Sequence, residues 1–310
     1  MNKITVVIPS YKTQYEVMVR TIKSVLEQER KPDEILIVDD NGGNEYSEIN
    51  HQIQNQYSDK IKVLFNERNM GANYTRNRGV KEASGDFIAF LDSDDTWNND
   101  YLKLNEQIIL KFNAEFITNN YQIVHQEGKL PPEFNKKDFP CGDISRKELY
   151  KDYVGPTSTV VVRKQILLDA GLFDETLPAR QDYDMWLRVS KLVPLQYNYK
   201  PSVLVFRDGH ASISSSYKRN VTGTEMVLKK IIQNNELTAN EIRDIKSSQY
   251  KHMCQACILC NAYKDAIIYG RKSLKQRFSV TVFIWLILCY FPLFFVLLRN
   301  IRKKYKYTKC

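Results

Sequence analysis

Two glycine signatures of nucleotide-binding folds are missing from this 310-residue chain. No G-x-G-x-x-G follows its first apolar run, and no G-x-x-x-x-G-K-[ST] occurs anywhere, so neither a dinucleotide-binding fold nor a P-loop is supported. Acidic residues are absent from Arg271 to Cys310, a stretch with ten Lys and Arg; against a formal charge of +9 this leaves 9 − 10 = −1 for everything before Arg271. Basicity therefore belongs to the tail, and a nucleic-acid groove across the body loses its main support. No internal repeat is evident. The six cysteines form no secreted-domain framework. Cys254, Cys257 and Cys260 have C-x-x-C-x-x-C spacing, but Lys264 stands where the next cluster ligand would be and no His pair follows. They read as small buried residues of an apolar helix. The opening run, "MNKITVVIPSY", stops at Pro9, too soon for a signal peptide, and the folded part is expected in the cytosol.

What is present describes a folded protein, 43% hydrophobic and 26% charged. Apolar runs at Ile4–Ile8, in "EILIVDD", at Ile61–Phe65 and at Phe87–Leu91 read as short buried strands. Between them, Met18, Ile22, Val25 and Leu26 share one helical face, and "GANYTRNRGVKEA" runs from a turn glycine into a helix. Such alternation predicts a mostly parallel sheet covered on both sides, with ligands beyond the carboxyl ends of the strands. Further helices are expected over Tyr101–Phe112, in "RQDYDMWLRVSKL" and across Gly223–Gln276, with a polar loop from Gln126 to Cys141. "TSTVVVRKQILLDAGLFDE" belongs to a second half that completes the sheet.

The three expected strand ends with chemistry are "PSY", "DDNGG" and "DSDD". Asp92, Asp94 and Asp95 crowd like charges where little water is available, which calls for a divalent cation, a basic side chain or an open solvent face.

In order, "VVIPSY", "ILIVDD", "NMGANYTRNRG", "GDFIAFLDSDD" and "QDYDMWLRV" resemble the family 2 inverting glycosyltransferases over about residues 3 to 215. The resemblance implies an α/β fold of the GT-A nucleotide-diphospho-sugar transferase type, with a Rossmann-like, mostly parallel sheet. It implies transfer of a sugar from a nucleotide diphosphate donor, usually UDP-linked, to an acceptor hydroxyl with inversion. A Mn²⁺ or Mg²⁺ ion would neutralise the leaving diphosphate, with Asp94 as direct ligand and Asp92 on the donor sugar or ribose. Asp95 is either part of this cluster or the cap of the next helix. Asp40 would accept from the base N–H, with Pro9 and Tyr11 packed against the ring; Asp39 is ascribed to turn chemistry.

Arg76 matches the family's nucleotide- or diphosphate-facing arginine, with Thr75 where Ala is usual, while Arg78 is expected to face solvent. Asp182 matches the general base, and Gln181, in place of the usual Glu, would touch the acceptor. Asp184 is expected to be structural. In "FRDGHASIS", Arg207, His210 and Ser212 would close over the diphosphate, with His210 on the metal or a phosphate oxygen. Two alternatives stand beside this. "DSDDT" also fits a haloacid-dehalogenase-like phosphohydrolase using Asp92 and Asp94, and Gln181 would suit a non-catalytic scaffold of a polysaccharide assembly complex.

The expected partition is 1–100 for nucleotide-sugar binding, 101–222 for acceptor binding, 223–278 helical, and 279–310 a hydrophobic segment with a basic tail. Ser279 to Leu298 has no charge and is long enough to cross a bilayer, but basic residues flank it on both sides and Pro292 lies inside it. The expectation is a segment that bends near Pro292 and re-enters or lies in the cytosolic leaflet, rather than a buried helix. It would anchor the chain at the cytoplasmic face of a bacterial inner membrane, beside a polyprenyl-diphosphate-linked glycan acceptor for O-antigen, capsule or exopolysaccharide. The donor expected is a UDP-hexose such as UDP-glucose, UDP-galactose or an N-acetyl form.

Overall fold

The computed structural model describes residues 2–57, 60–125, 128–132, 139, 141–207 and 216–290. His210, Ser212, most of the Gln126–Cys141 loop and the tail from position 291 lie outside the described residues. The first half of the chain runs β1 (Ile4–Ser10), α1 (Tyr15–Leu26), β2 (Glu34–Asp39), α2 (Glu45–Gln56), β3 (Lys62–Phe65), α3 (Ala72–Glu82), β4 (Phe87–Phe90), β5 (Thr96–Trp97), α4 (Tyr101–Phe112), β6 (Phe116–His125) and β7 (Gly128–Lys129). There follow α5 (Ser145–Glu148), β8 (Val160–Arg163), α6 (Lys164–Asp169), α7 (Gln181–Val189), β9 (Leu195–Phe206), α8 (Tyr217–Gln233), α9 (Ala239–Leu259), α10 (Tyr263–Gln276) and α11 (Val280–Cys289).

Two compact units result. One comprises the described residues of 1–145, 153–175 and 185–207; the other those of 146–152, 176–184 and from 216 onward.

The first unit is built on a nine-stranded sheet in the order β3-β2-β1-β4-β8-β6-β9-β5, with β7 paired to β6. β3, β2, β1 and β4 are parallel, as the alternation of strands and helices predicts. Beyond β4 the sheet turns mixed: β8 is antiparallel to β4 and β6, whereas β9 runs parallel to β6 and antiparallel to β5.

Side chains alternate across the pleat. Ile4, Val6, Ile8, Ile35, Ile37, Phe87 and Ala89 enter a core with Met18, Ile22 and Val25 of α1. Val7, Leu36, Val38, Ile88 and Phe90 enter another with Val80 of α3, Met185 and Trp186. Because both faces are covered, these strands are apolar throughout, and each such buried side chain contributes roughly 1.5–3 kcal/mol. α3 lies so close to the sheet that a Cβ at Gly79 would stand 2.4 Å from Val7 Cγ1. Register completes the arrangement: Ser10 pairs with Asp39, and Val7 with Phe90, so the carboxyl ends of β1, β2 and β4 share one edge.

In the second unit α8, α9 and α10 pack around Val221, Met253, Cys254, Cys257 and Ala266, and α11 adds Cys289. A capping box, Thr238 with Glu241, starts α9. Cys254 and Cys257 are buried, whereas Cys260, at the helix end, is exposed. Burial pushes both buried thiols up to about 12, which keeps them protonated. Among the described residues no group of three or more His, Cys, Asp or Glu could hold a metal by itself, and no helix is long and apolar enough to cross a membrane.

Candidate active site

The edge formed by the carboxyl ends of β1, β2 and β4 gathers most of the residues singled out above. Asp39, fully buried at the end of β2, accepts from Asn41 N, Ser47 Oγ and Asn50 Nδ2 at 2.8, 3.1 and 2.5 Å. It fastens α2 to the sheet. Asp40 faces the other way: Oδ1 accepts from Asn66 Nδ2 and Met70 N, and Oδ2 from Gly71 N, at 2.8, 2.7 and 2.9 Å. Three of its roughly four lone-pair sites are used to hold the turn before α3, leaving Oδ2 one for a ligand. Gly71 caps α3 with φ 89°, a conformation that favours glycine. An open cleft of about 690 Å³ lies beyond β3, lined by Phe65, Asn66, Arg68, Met70, Tyr74 and Arg78. Pro9 is half-buried on β1, and Tyr11 is exposed with Lys12 Nζ 5.3 Å from its ring centre.

Arg78 does not face solvent freely. Its Nη1 donates to the Phe65 carbonyl and to Asn66 Oδ1, both at 2.6 Å, and so secures the end of β3.

Arg76, on the same helix, is buried and donates from Nη2 to Asp92 Oδ1 at 2.7 Å. Its Nε and Nη1 have no hydrogen-bond partner among the described residues. Two buried guanidinium nitrogens left open are costly, and an oxygen-rich ligand would satisfy both. Asp92 also receives Thr157 Oγ1, 3.2 and 3.3 Å from its two oxygens.

Asp94 sits in a different electrostatic setting. Burial, then the neighbouring Asp92 charge, push its carboxyl above the usual range, while Arg207 and Arg20 pull it down. Arg20, on α1, donates from Nη2 to the Asp94 carbonyl at 2.7 Å and stacks 3.7 Å from the Phe206 ring centre. Asp95 is not a helix cap: α4 begins beyond it, at Tyr101. Its buried carboxylate accepts from Ser158 Oγ at 2.6 Å and from Phe206 N at 3.1 Å, locking the loop to the end of β9. Burial first, then Asp94 and Asp92, push the Asp95 carboxyl well up.

Gln181 and Asp182 open α7 and belong to the second unit. Both are half-buried, and Asp182 Oδ1 accepts from Tyr183 N at 2.8 Å. Arg180, in the left-handed region at φ 62°, places its guanidinium 4.4 Å from the Tyr183 ring centre and 3.7 Å from Asp152 Oδ2. Asp184 is buried and ion-paired to Lys230 Nζ at 2.8 Å, a structural use of the second aspartate.

Asp40, Arg76, Asp92, Asp94 and Arg207 thus lie in one unit and Asp182 in the other. The aspartate cluster follows β4, whereas the phosphohydrolase alternative requires its motif after the first strand. Thr157, Ser158 and Arg20 were not among the residues singled out in the sequence. No local pattern marks the first two, and Arg20 shares α1 with Glu16 and Lys23, which give it no distinguishing signal.

The family model of glycosyl transferase family 2 matches residues 5–167. The chain belongs to that family. A β-1,3-glucosyltransferase of Campylobacter jejuni acting on GalNAc(5)-diNAcBac-PP-undecaprenol is 28% identical over 301 residues, covering 94% of either chain. The β-1,3-glucosyltransferase WfgD of Escherichia coli, named for UDP-Glc and α-D-GlcNAc-diphosphoundecaprenol, is 30% identical over 61% of this chain and 70% of its own. Other relatives are longer: the match covers 26% of an uncharacterized glycosyltransferase of Rickettsia bellii, 30% identical over 61% of this chain. Among solved structures, Staphylococcus aureus TarS in complex with UDP-GlcNAc superposes with a TM-score of 0.62 at 17% identity, over 88% of this chain and 89% of that one. The mannosyltransferase PcManGT of Pyrobaculum calidifontis, with GDP-Man and Mn²⁺, gives 0.59 at 13% identity over 93% and 79%. These two likenesses establish the fold, a mixed α/β sheet of the GT-A transferase type. As a family 2 glycosyltransferase the chain falls among relatives named for lipid-linked sugars in bacterial polysaccharide synthesis.

Proposed function

We propose that this glycosyltransferase moves a hexose from a UDP-sugar to a hydroxyl of a polyprenyl-diphosphate-linked glycan, with inversion. The observation that carries the donor half is Arg76, whose open, buried Nε and Nη1 stand beside Asp92 on the sheet edge shared with Asp40 and Asp94. A diphosphate supplies the oxygens such donors need. Asp40 would use its remaining lone pair on the base, with Pro9 and Tyr11 against the ring, and Arg207, His210 and Ser212 would close over the phosphates.

The acceptor half rests on the Campylobacter and Escherichia relatives, both named for undecaprenol-linked glycans. In the reaction the acceptor oxygen bonds to the anomeric carbon as the bond from that carbon to the diphosphate oxygen breaks, and the hydroxyl proton passes to the Asp182 carboxylate. The nucleoside diphosphate leaves with the bonding electrons. Gln181 would orient the acceptor by hydrogen bonds alone.

The residues fit a divalent ion. The carboxylate oxygens of Asp94 and Asp92 are hard donors, and burial, then the Asp92 charge, push the Asp94 carboxyl up, so a bound cation would favour its ionised form. One or two carboxylates plus substrate phosphates are a common way to hold Mg²⁺, and PcManGT was solved with Mn²⁺. When bound, such an ion stabilises the charge of the departing diphosphate.

The test is incubation with UDP-, dTDP- and GDP-sugars and polyprenyl-diphosphate-linked acceptors, with products analysed by mass. Growth of the acceptor by one hexose from a UDP donor is the expected result. Neither transfer nor donor hydrolysis with any sugar would sink the reading, as would phosphate release from a phosphomonoester alone.

A further inference from the structure

The second unit ends in an apolar surface that its own described residues do not cover. α11 turns Val282, Leu286 and Cys289 inward, at helical spacing. Leu286 lies against Gly270 of α10, where a Cβ would come within 2.6 Å of it, so the rotation of α11 is fixed by close packing. Its other face is open: Phe278 and Val280 are 73% and 62% exposed, and Phe283, Ile284, Ile287 and Tyr290 are also exposed. A contiguous apolar face of this kind marks an interaction site.

Its rim is cationic. Arg271 Nη2 donates to the Tyr290 hydroxyl oxygen at 2.6 Å, and Lys251 Nζ lies 5.8 Å from the Trp285 ring centre. Lys272 sits 4.8 Å from the Tyr269 ring centre, and Lys275 is exposed on the last turn of α10. Arg277 pairs with Asp244. From Arg271 to Tyr290 there is no Asp or Glu at all.

An apolar helix face bordered by Lys and Arg, with Trp and Tyr between them, complements the acyl–headgroup boundary of an anionic bilayer. We infer that α10 and α11 form an interfacial docking surface for an anionic phospholipid membrane, with the open face of α11 entering the acyl boundary and Arg271, Lys272, Lys275 and Lys251 meeting the headgroups. α11 is ten residues long, about half a bilayer core at 1.5 Å per residue, so by itself it is too short to cross one. A protein acceptor would also cover an apolar face, but the excess of Lys and Arg on the rim, over Asp244, Asp265 and Glu225 nearby, favours lipid. The inference complements the lipid-linked acceptor proposed above, yet vesicle binding is read without turnover, so either can fail alone.

The experiment uses the full chain and sedimented vesicles of phosphatidylglycerol with phosphatidylethanolamine, against phosphatidylcholine alone. Preferential, salt-sensitive binding to the anionic vesicles is expected. Phe283→Glu with Ile287→Glu should weaken it about tenfold or more, and Lys272→Gln and Lys275→Gln by roughly fivefold each on anionic vesicles only. Circular dichroism should show these surface variants folded. A dye on Ile287→Cys, in a chain with Cys141, Cys260 and Cys310 changed to Ser, should blue-shift on the anionic vesicles. Unchanged binding of the α11 variant, or a silent dye on sedimenting protein, would mean that the segment beyond Tyr290 binds by itself and would overturn the inference. A wild-type dimer that the α11 variant converts to monomer, with no vesicle binding by either, would mean that a second copy covers the face and would overturn it equally.

Discussion

Arg76 and Asp92 form a bridge of unequal burial: the guanidinium side chain is 8% exposed and the carboxylate 32%, with 2.7 Å between Nη2 and Oδ1. The arginine is locked and the aspartate keeps an open side. Arg76→Met would strip Asp92 of its buried partner, and a loss of about 2 kcal/mol is expected, below the figure for a fully buried pair because Asp92 is partly solvated. Arg76→Lys keeps the charge but not the fork of N–H groups, so donor affinity should fall roughly tenfold with a smaller change in melting. Thermal melts and UDP-sugar titrations of both variants check this. Unaltered donor affinity in Arg76→Met would show that the open N–H groups meet no ligand.

Asp182 and Asp184 lie two residues apart on α7 and should fail differently. Asp182→Asn keeps the side-chain shape but cannot take a proton; turnover should drop by about 10²–10⁴ with donor binding unchanged. Asp184→Asn weakens the 2.8 Å contact with Lys230. Because the aspartate is buried and the lysine only partly so, a stability loss of about 1–3 kcal/mol is expected with turnover within a few-fold. Urea unfolding and initial rates on the two proteins separate the roles; the opposite pattern would exchange them.

The parallel half of the sheet was legible because its strands are apolar runs between amphipathic helices, and α4 was read as Tyr101–Phe112, the span observed. α2 was not. Its inward residues are Ser47, Asn50 and Ile53, and the first two serve Asp39 by hydrogen bonds, so no apolar stripe announces the helix. The parallel pairing of β6 with β9 was hidden for another reason. It joins segments some 80 residues apart around a buried amide network of Asn105, Asn119 and Asn198, which resembles loop composition in the sequence. Asp40, Arg76 and Asp92 could be named from local motifs. What each carboxylate is hydrogen-bonded to could not, since Asn66 and Thr157 reach them only after folding.

Asp94 provides the test of the metal. Chelation with EDTA should reduce transfer to background, and added Mn²⁺ or Mg²⁺ should restore it. Asp94→Asn removes one hard, charged donor; the metal concentration for half-activation should rise at least about tenfold, read by activity titration and by direct Mn²⁺ binding. Full activity in EDTA would refute metal assistance.

His252, on α9, supplies a stability prediction with a defined sign. Its Nε2 has no hydrogen-bond partner among the described residues. Burial, helped by the Arg180 charge, lowers its pKa from 6.5 to about 3, so the folded protein holds it neutral. Below pH 6.5 the unfolded chain takes up a proton at this position that the folded chain refuses, and unfolding is favoured as pH falls. The contribution is fully present above pH 6.5, declines by at most about 1.4 kcal/mol per pH unit, and is exhausted near pH 3. His252→Gln cannot titrate, so its stability should fall less steeply between pH 6.5 and pH 4.5 even if the variant is weaker at neutral pH. Urea midpoints across that range, compared as slopes with those of the wild type, decide the matter. Parallel slopes would mean that the folded protein takes up a proton on His252 as readily as the unfolded chain does.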